Sequence, residues 1–501
     1  MSHILFINPS VDKFTDTKIW ASDLMDYING EKTAMPKLVA MLLAAITPEK
    51  HTFTHIDEEV EDIDFDLPNI DLVALTAMTI QADRAYAIAA EFKKRGVKVA
   101  LGGIHASVLP DEAAMHVDTV FIGEGENTWL PMLEDLERGQ LKPLYNAKDY
   151  LPVTELSSPR VDVIKHERYS MFPIMATKGC PYSCDFCSIQ YSSGNKIRMK
   201  PIEQVVEEIQ AFEKYNTGLI KKRYQFVDDN LYINPQYTKK LFIALRQLGI
   251  TWQGQGTLNT LKDDVTLRLM AESGCRSFSI GFESISEESL KEVSKTGTNH
   301  VEDYDEGIKK LIQHGIAPSG FFIFGFDSDD VTVFEKTLNY IKKSHIICPF
   351  FNILTPYPGT RVYDRVKERI IDHKWSHYTS IHSVYTPAKM TSKQLELGMH
   401  WASYEVASLE TLKKQFEYFW SQGPWEKNPR LTLSERMILL LVAFKLGKHQ
   451  EYKIYKRFLF WVATRKTAVD LYTIFAGIVF NQKTREFFKD AKNPAQDKGV
   501  I

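Results

Sequence analysis

Five cysteines occur in this chain, and three fall in one short run, Cys180-Pro-Tyr-Ser-Cys184-Asp-Phe-Cys187. Thiolates are the usual ligands of iron–sulfur clusters. Three of them leave one iron of a four-iron cube without a protein ligand, and that iron can chelate an amino acid through its amine and carboxylate. Structural zinc is the other use of closely spaced cysteines. It asks for four protein ligands, often as two spaced pairs, and no second pair exists. Cys275 and Cys348 lie on or beside predicted strands and read as core thiols.

A cluster loop needs a scaffold, and the flanking sequence supplies one. From Pro173 onward a β/α series begins, with strands predicted near 174–177, 223–227, 251–256, 277–282, 319–324 and 351–354. Helical patterns lie between them, as at Ile202 to Tyr215 and Asp264 to Ser273. Six such units suggest a partial (β/α)6 barrel with its site at the carboxyl ends of the strands. The cysteine loop follows the first strand and would stand at the barrel mouth. Carboxylates end two later strands, in Phe226-Val-Asp-Asp-Asn230 and Gly281-Phe-Glu-Ser284. They are either ligand contacts or strand-end caps.

Before the barrel, the first 140 or so residues alternate strand and helix as in a doubly wound parallel sheet. Strands are expected at 3–8, 51–56, 71–77, 97–101 and 118–122, with helices at 36–46 and 81–95, the latter stopped by Gly96. Asn8 and Thr76 fall at strand ends. Gly102-Gly103 and Gly123-Glu-Gly-Glu126 follow two more, where glycine lets a bulky ligand approach the backbone. The loop from Pro9 to about Thr33 is long enough to suggest function. Residues 141–170 carry Pro143, Pro152 and Pro159 and read as a linker, which gives domains at 1–140, 171–390 and 391–501. After Met390 the pattern is helical, to about Phe419 and again from Leu431 to about Phe488.

The composition fits a soluble globular protein: 44% apolar, 25% charged and a net charge of −3. Charge is unevenly placed. Residues 411–501 hold 17 Lys/Arg against 8 Asp/Glu, and the remainder holds 44 against 56. A basic, aromatic tail suits an anionic surface such as lipid headgroups, or is a solvated helical face beside an acidic body. The few cysteines exclude a secreted disulfide framework. No signal peptide is read at the start, and the longest apolar run, Leu471 to Gln482, is too short to span a bilayer. The expected location is the cytoplasm, with peripheral contact at the inner membrane face through the basic tail.

Cys-x3-Cys-x2-Cys after a first strand, with Phe186 before the last cysteine, resembles the signature of the radical S-adenosylmethionine (SAM) superfamily. The resemblance spans about residues 165–390. It implies a [4Fe–4S] cluster on Cys180, Cys184 and Cys187 whose open iron binds SAM, and a 5′-deoxyadenosyl radical that takes a substrate hydrogen. Asp228, Asp229 and Asn230 stand where the family often has a Gly-Gly-Glu type motif, whose glycines are absent here. With Phe186, Glu283 and Ser284 they are the SAM-binding candidates. Phe324-Gly-Phe-Asp327 and Thr355-Pro-Tyr-Pro-Gly-Thr360 resemble later loops of the same family.

The amino-terminal region is similar to the cobalamin-binding domain that precedes many such cores. Gly102-Gly-Ile-His-Ala-Ser107, Pro110-Asp-Glu112 and Gly123-Glu-Gly-Glu126 carry that likeness. The implied cobalamin contacts are Asn8, Thr76, Gly102, Gly103, His105, Gly123, Glu124, Gly125 and Glu126. The Asp-x-His-x-x-Gly sequence that supplies an axial histidine is missing from Asn8-Pro-Ser-Val-Asp-Lys13, so no protein histidine is expected on cobalt. His105 reads as structural or as a hydrogen-bond donor.

The tail, with Trp375, Pro387-Ala-Lys-Met-Thr391 and the run Tyr452 to Trp461, resembles relatives that modify large flat apolar substrates, hopanoid and bacteriochlorophyll methylases among them. The aromatics of that run suit a helical core or a lipid surface. The implied activity is a cobalamin-dependent radical SAM methyltransferase acting on an unactivated carbon of a hopanoid-like lipid or chlorophyll-type tetrapyrrole. It would be fed by flavodoxin or ferredoxin and have no nucleic-acid partner. An oxidative cyclase with the same cofactors is the enzymatic alternative, and a non-catalytic iron–sulfur or cobalamin sensor the alternative from another class.

Overall fold

The computed structural model describes residues 1–11, 33, 35–147, 149–217 and 221–424, with the single residues 462, 484, 485, 488 and 494. The chain divides into two compact units. The first comprises 1–217, 225–233 and 354–387, and the second comprises 218–224, 234–353 and 388–501. The loop read from Pro9 to Thr33 falls mostly outside the described residues, as do the run Tyr452 to Trp461 and the helices read from Leu431 onward.

The first unit opens with a six-stranded parallel sheet: β1 (His3–Asn8), β2 (Thr52–Asp57), β3 (Leu72–Thr76), β4 (Lys98–Gly102), β5 (Thr119–Ile122) and β6 (Leu144–Asn146). Its order is β2-β1-β3-β4-β5-β6, the flavodoxin-like winding whose reversal lies between β1 and β3. Strands covered on both faces read as continuous apolar runs, and Ile4, Leu5, Phe6 and Ile7 are all buried. Period-two alternation sorts them. Leu5, Ile7, Val73, Leu75, Val99 and Leu101 join one core. Ile4, Phe6, Leu72, Ala74, Ala100 and Phe121 join the other. The helix Leu38–Ile46 packs on the second face and Ala82–Lys94 on the first.

Two features differ from the sequence reading. The segment read as a linker supplies β6, with Val120 paired to Leu144 and Ile122 to Asn146. Three residues between prolines carry too little pattern to show as a strand. The second difference is that residues 354–387, assigned by pattern to the barrel and its tail, belong to the first unit. Trp375 packs against its core. Its Nε1 donates to Glu112 Oε1 at 2.7 Å, its ring meets His105 edge-on at 5.5 Å, and the Ser376 amide donates to Asp83.

The barrel strands are β7 (Met171–Ile174), β10 (Arg223–Phe226), β11 (Trp252–Gly256), β12 (Cys275–Glu283), β13 (Ala317–Phe324) and β14 (Cys348–Ile353); the last five overlap their predicted ranges, whereas the first, expected at 174–177, ends at Ile174. They follow one another in that order in one sheet. Between β7 and β10 the chain makes a small hairpin, β8 (Thr177–Lys178) with β9 (Arg198–Met199). In the second unit β11 to β14 pair in parallel. Phe282 stacks on Phe322 at 5.4 Å. Cys275 and Cys348 begin β12 and β14; Cys275 is buried and Cys348 half-buried, and desolvation pushes both thiols up to about 12. Among the described residues two helices follow Met390: Ser392–Val406, started by a Thr391–Gln394 capping box, and Leu409–Gln422, capped by Ser408. No helix among the described residues is long and apolar enough to cross a membrane.

Candidate active site

The cysteine loop leaves β8 and is fixed by backbone. Gly179 has φ +93°, and a Cβ there would stand 2.3 Å from the Lys196 carbonyl oxygen, so only glycine fits. The Cys180 amide donates to Gly194 O, and the Cys187 amide closes a turn on Cys184 O. From the far side Arg361 donates to Ser183 O and pairs with Asp185, while the Val362 amide donates to Asp185 O. All three cysteines are half-buried, and Phe186 is half-buried between the last two. Among the described residues no three Cys, His, Asp or Glu side chains converge on one point. A tetrahedral zinc site demands that convergence.

Asp228 and Asp229 end β10 and face this loop. Asp228 is buried, and one oxygen accepts from the Thr177 amide at 2.5 Å and its hydroxyl at 2.7 Å, the other from the Ala176 amide at 3.2 Å. Burial pushes its carboxyl up to about 6, against the pull of those donors. Asp229 accepts from the Gly179 amide at 2.9 Å and is also raised by burial. Asn230 accepts from the Tyr232 amide. These contacts make Asp228 and Asp229 braces of the strand that launches the cluster loop. In the second unit Glu283 sits at φ +63° and pairs with Lys295 at 2.9 Å. Gly281 leaves space for that carboxylate, since a Cβ would be 2.3 Å from it. Ser284 Oγ accepts from the Ser286 amide.

A cavity of about 310 Å³ opens at the carboxyl ends of β3, β4 and β5. Leu38, Leu42, Leu43, Phe121 and Trp129 form apolar walls, and Thr76, Gly102, Gly103, Gly123, Glu124, Gly125 and Glu126 line it from the strand ends. Met175, Lys178, Ser192, Ser193 and Val227 complete it from the cluster side. Gly103 has φ +94°, with Ala77 O only 2.6 Å from where a Cβ would be. Ser107 ties the two glycine loops together by donating to Gly103 O and accepting from the Gly123 amide. The walls suit a large ligand with an apolar body. No histidine is among the lining residues. His105 is fully buried elsewhere, on Tyr86 Oη at 2.8 Å, and burial lowers its pKa. Asn8 is likewise outside the lining, paired with His55.

Glu124 does more than line the cavity. It accepts from Arg198 through both guanidinium nitrogens, at 2.8 and 2.6 Å, and pairs with Lys178 at 2.8 Å. Glu126 adds a second carboxylate 3.4 Å from Lys178. Burial opposes charge on Lys178, but Glu126 and Glu124 outweigh it and hold its pKa above the usual value. Arg198 also donates to Leu151 O and Ser193 O. No motif or periodicity marks Arg198, which opens the two-residue strand β9. Lys178 stands two residues before the first cysteine, but no pattern in the sequence marks it as a partner.

Comparison with known proteins places this geometry. Residues 174–341 match the Radical SAM superfamily and residues 36–130 the B12 binding domain. The bacteriochlorophyllide d C-12(1)-methyltransferase of Chlorobaculum tepidum is 34% identical over 74% of this chain and 81% of its own. The chain belongs to the cobalamin-dependent radical SAM methyltransferases. The hopanoid C-2 methylase of Rhodopseudomonas palustris is 26% identical over 73% of this chain and 70% of its own. The fold of the cobalamin-dependent SAM radical enzyme OxsB, with aqua-cobalamin and SAM bound, covers all of this chain and 81% of that one with a TM-score of 0.62 at 14% identity. The two family matches imply a [4Fe–4S] cluster, SAM and cobalamin as the cofactors of this methyltransferase.

Proposed function

We propose that the enzyme methylates an unactivated carbon of a tetrapyrrole-type macrocycle, with a hopanoid-like lipid as the second substrate class. The observation that carries this reading is the placement of the glycine-lined apolar cavity beside the cluster loop, with Lys178, Ser192 and Ser193 shared between them. The tetrapyrrole is preferred because the bacteriochlorophyllide methyltransferase is the more similar of the two relatives. When bound, the cluster and SAM supply a 5′-deoxyadenosyl radical and the cobalamin supplies a methyl group. The chain's own residues do the positioning. Cys180, Cys184 and Cys187 hold the cluster, braced through Asp228 and Asp229. Phe186 and Asn230 in the first unit, and separately Glu283 and Ser284 in the second, are the SAM-binding candidates. Thr76, Gly102, Gly103, Gly123 and Gly125 admit the cobalamin to the strand ends. A flavodoxin or ferredoxin supplies the electron, and the basic tail meets an anionic membrane face.

Anaerobic reconstitution with iron, sulfide and hydroxocobalamin, followed by dithionite, SAM and a bacteriochlorophyllide, tests this. The expected result is 5′-deoxyadenosine above a Cys184→Ala control, and a product heavier by one CH2 group. Deoxyadenosine without that mass gain would replace methylation by oxidation or ring formation. None above the control would sink the radical enzyme.

A further inference from the structure

Lys178 and Arg198 are directly opposite one another in the β8–β9 hairpin that frames the cysteine loop. Like charges across a strand pair repel, and both side chains are mostly buried, at 16% and 11% exposure. Glu124 lies against both, with its carboxylate 1% exposed, and Glu126 joins Lys178. The two carboxylates come from the loop that lines the cavity floor after β5, and the two cations come from the base of the cluster loop. Arg198 extends the junction by donating to Leu151 O and Ser193 O and by lying 4.8 Å over the Tyr150 ring. Gly194 makes room for that ring, because a Cβ there would be 2.6 Å from it. Its carbonyl in turn receives the Cys180 amide. A continuous path of contacts therefore runs from the cavity wall to the first cluster ligand.

We infer that Glu124 is a positioning residue that couples the two cofactor sites: the cluster-bearing form of the hairpin and the cobalamin-accepting form of the Gly123–Glu126 loop stabilise each other through its pairs with Lys178 and Arg198. Without that carboxylate the hairpin keeps two facing cations; Glu126 still pairs with Lys178, the Asp229 carboxylate still acts on both, and Arg198 keeps only its backbone carbonyls and the Tyr150 ring as direct contacts. Both the loop and the hairpin then lose their common anchor. The inference rests on the reading that cobalamin and the cluster bind where proposed.

The full-length protein is titrated anaerobically with hydroxocobalamin, followed by its visible absorbance, with and without the reconstituted cluster. In the wild type the cluster strengthens cobalamin binding by roughly fivefold or more, the range of ordinary site-to-site coupling. By reciprocity, cobalamin slows the loss of iron to a chelator. In Glu124→Gln the two affinities converge and cobalamin no longer protects iron. In Glu124→Gln/Lys178→Met, removal of the facing cation restores binding relative to the single variant. Equal wild-type affinities with and without cluster overturn the coupling and leave both cofactors assigned, and this comparison needs no variant to fold. A double variant weaker than the single overturns the charge argument. A wild type that takes up no hydroxocobalamin overturns the cofactor reading and the coupling with it.

Discussion

Asp228→Asn separates bracing from ligand binding. In the native protein one Asp228 oxygen takes the Thr177 amide and hydroxyl, and the other takes the Ala176 amide. An asparagine keeps one acceptor. Its oxygen can still serve Thr177, but its NH2 then faces the Ala176 N–H, donor to donor. A buried N–H left without an acceptor costs about 1–3 kcal/mol. The loss falls on the strand end that launches the cysteine loop. The variant should therefore melt at a lower temperature and hold less iron after anaerobic reconstitution. SAM affinity per intact cluster should stay near wild type. Differential scanning fluorimetry, iron assay and SAM titration normalised to iron measure these three quantities. Full iron and unchanged melting together with lost SAM binding would refute the bracing argument and make Asp228 a SAM ligand.

Two further outcomes follow from burial and backbone geometry. Asp329 accepts from the Gly325 and Phe326 amides and the Ser289 hydroxyl, and burial pushes its carboxyl up to about 7. Its folded pKa is above the unfolded value, so the folded state binds the extra proton between about pH 4 and 7. Stability from this group falls as pH rises through that window, by up to about 4 kcal/mol at the usual cost per pKa unit. Wild type should thus lose melting temperature relative to Asp329→Asn between pH 5 and pH 8, and parallel profiles would sink the assignment. Gly103→Val places a β-branched residue at φ +94° and a Cβ 2.6 Å from Ala77 O. It should lose at least 1–2 kcal/mol of stability and most of its cobalamin binding, read by fluorimetry and absorbance. Unchanged binding would mean that the Gly102-Gly103 turn does not shape the cavity.

Much of the fold was legible because parallel β/α folds write themselves in long repeated patterns. The five strands read before the linker stand within a residue or two of their expected places, and β1 matches at both ends. The cluster cysteines were legible for a different reason: their ligand chemistry is local, and their spacing is itself the signal. Roles set by tertiary partners were not legible. Asp228 and Glu124 are acidic residues at strand ends, and only the fold reveals that one braces Thr177 and the other neutralises Arg198. The β8 and β9 strands have two residues each, below any periodicity. Trp375 lay beyond the last barrel loop and carried no mark of its place against Glu112. His105 was expected among the cobalamin contacts, but it lies outside the cavity lining, buried on Tyr86.

The return of residues 354–387 to the first unit bears on how the protein is made. During synthesis the cobalamin-type sheet and the cysteine loop leave the ribosome early, but Arg361, Val362, Trp375 and Ser376, which fasten them, arrive only after most of the second unit. Domains usually fold as units in the order they emerge, and contacts this distant in sequence form late. The nascent first unit therefore waits with its cysteine loop unfastened while the second is translated through it. The contacts of Arg361, Val362, Trp375 and Ser376 can close only once those residues have been made. A chain cut before residue 387 would lose part of the first unit's clasp even though its cysteines are intact, whereas a cut after Met390 would spare it.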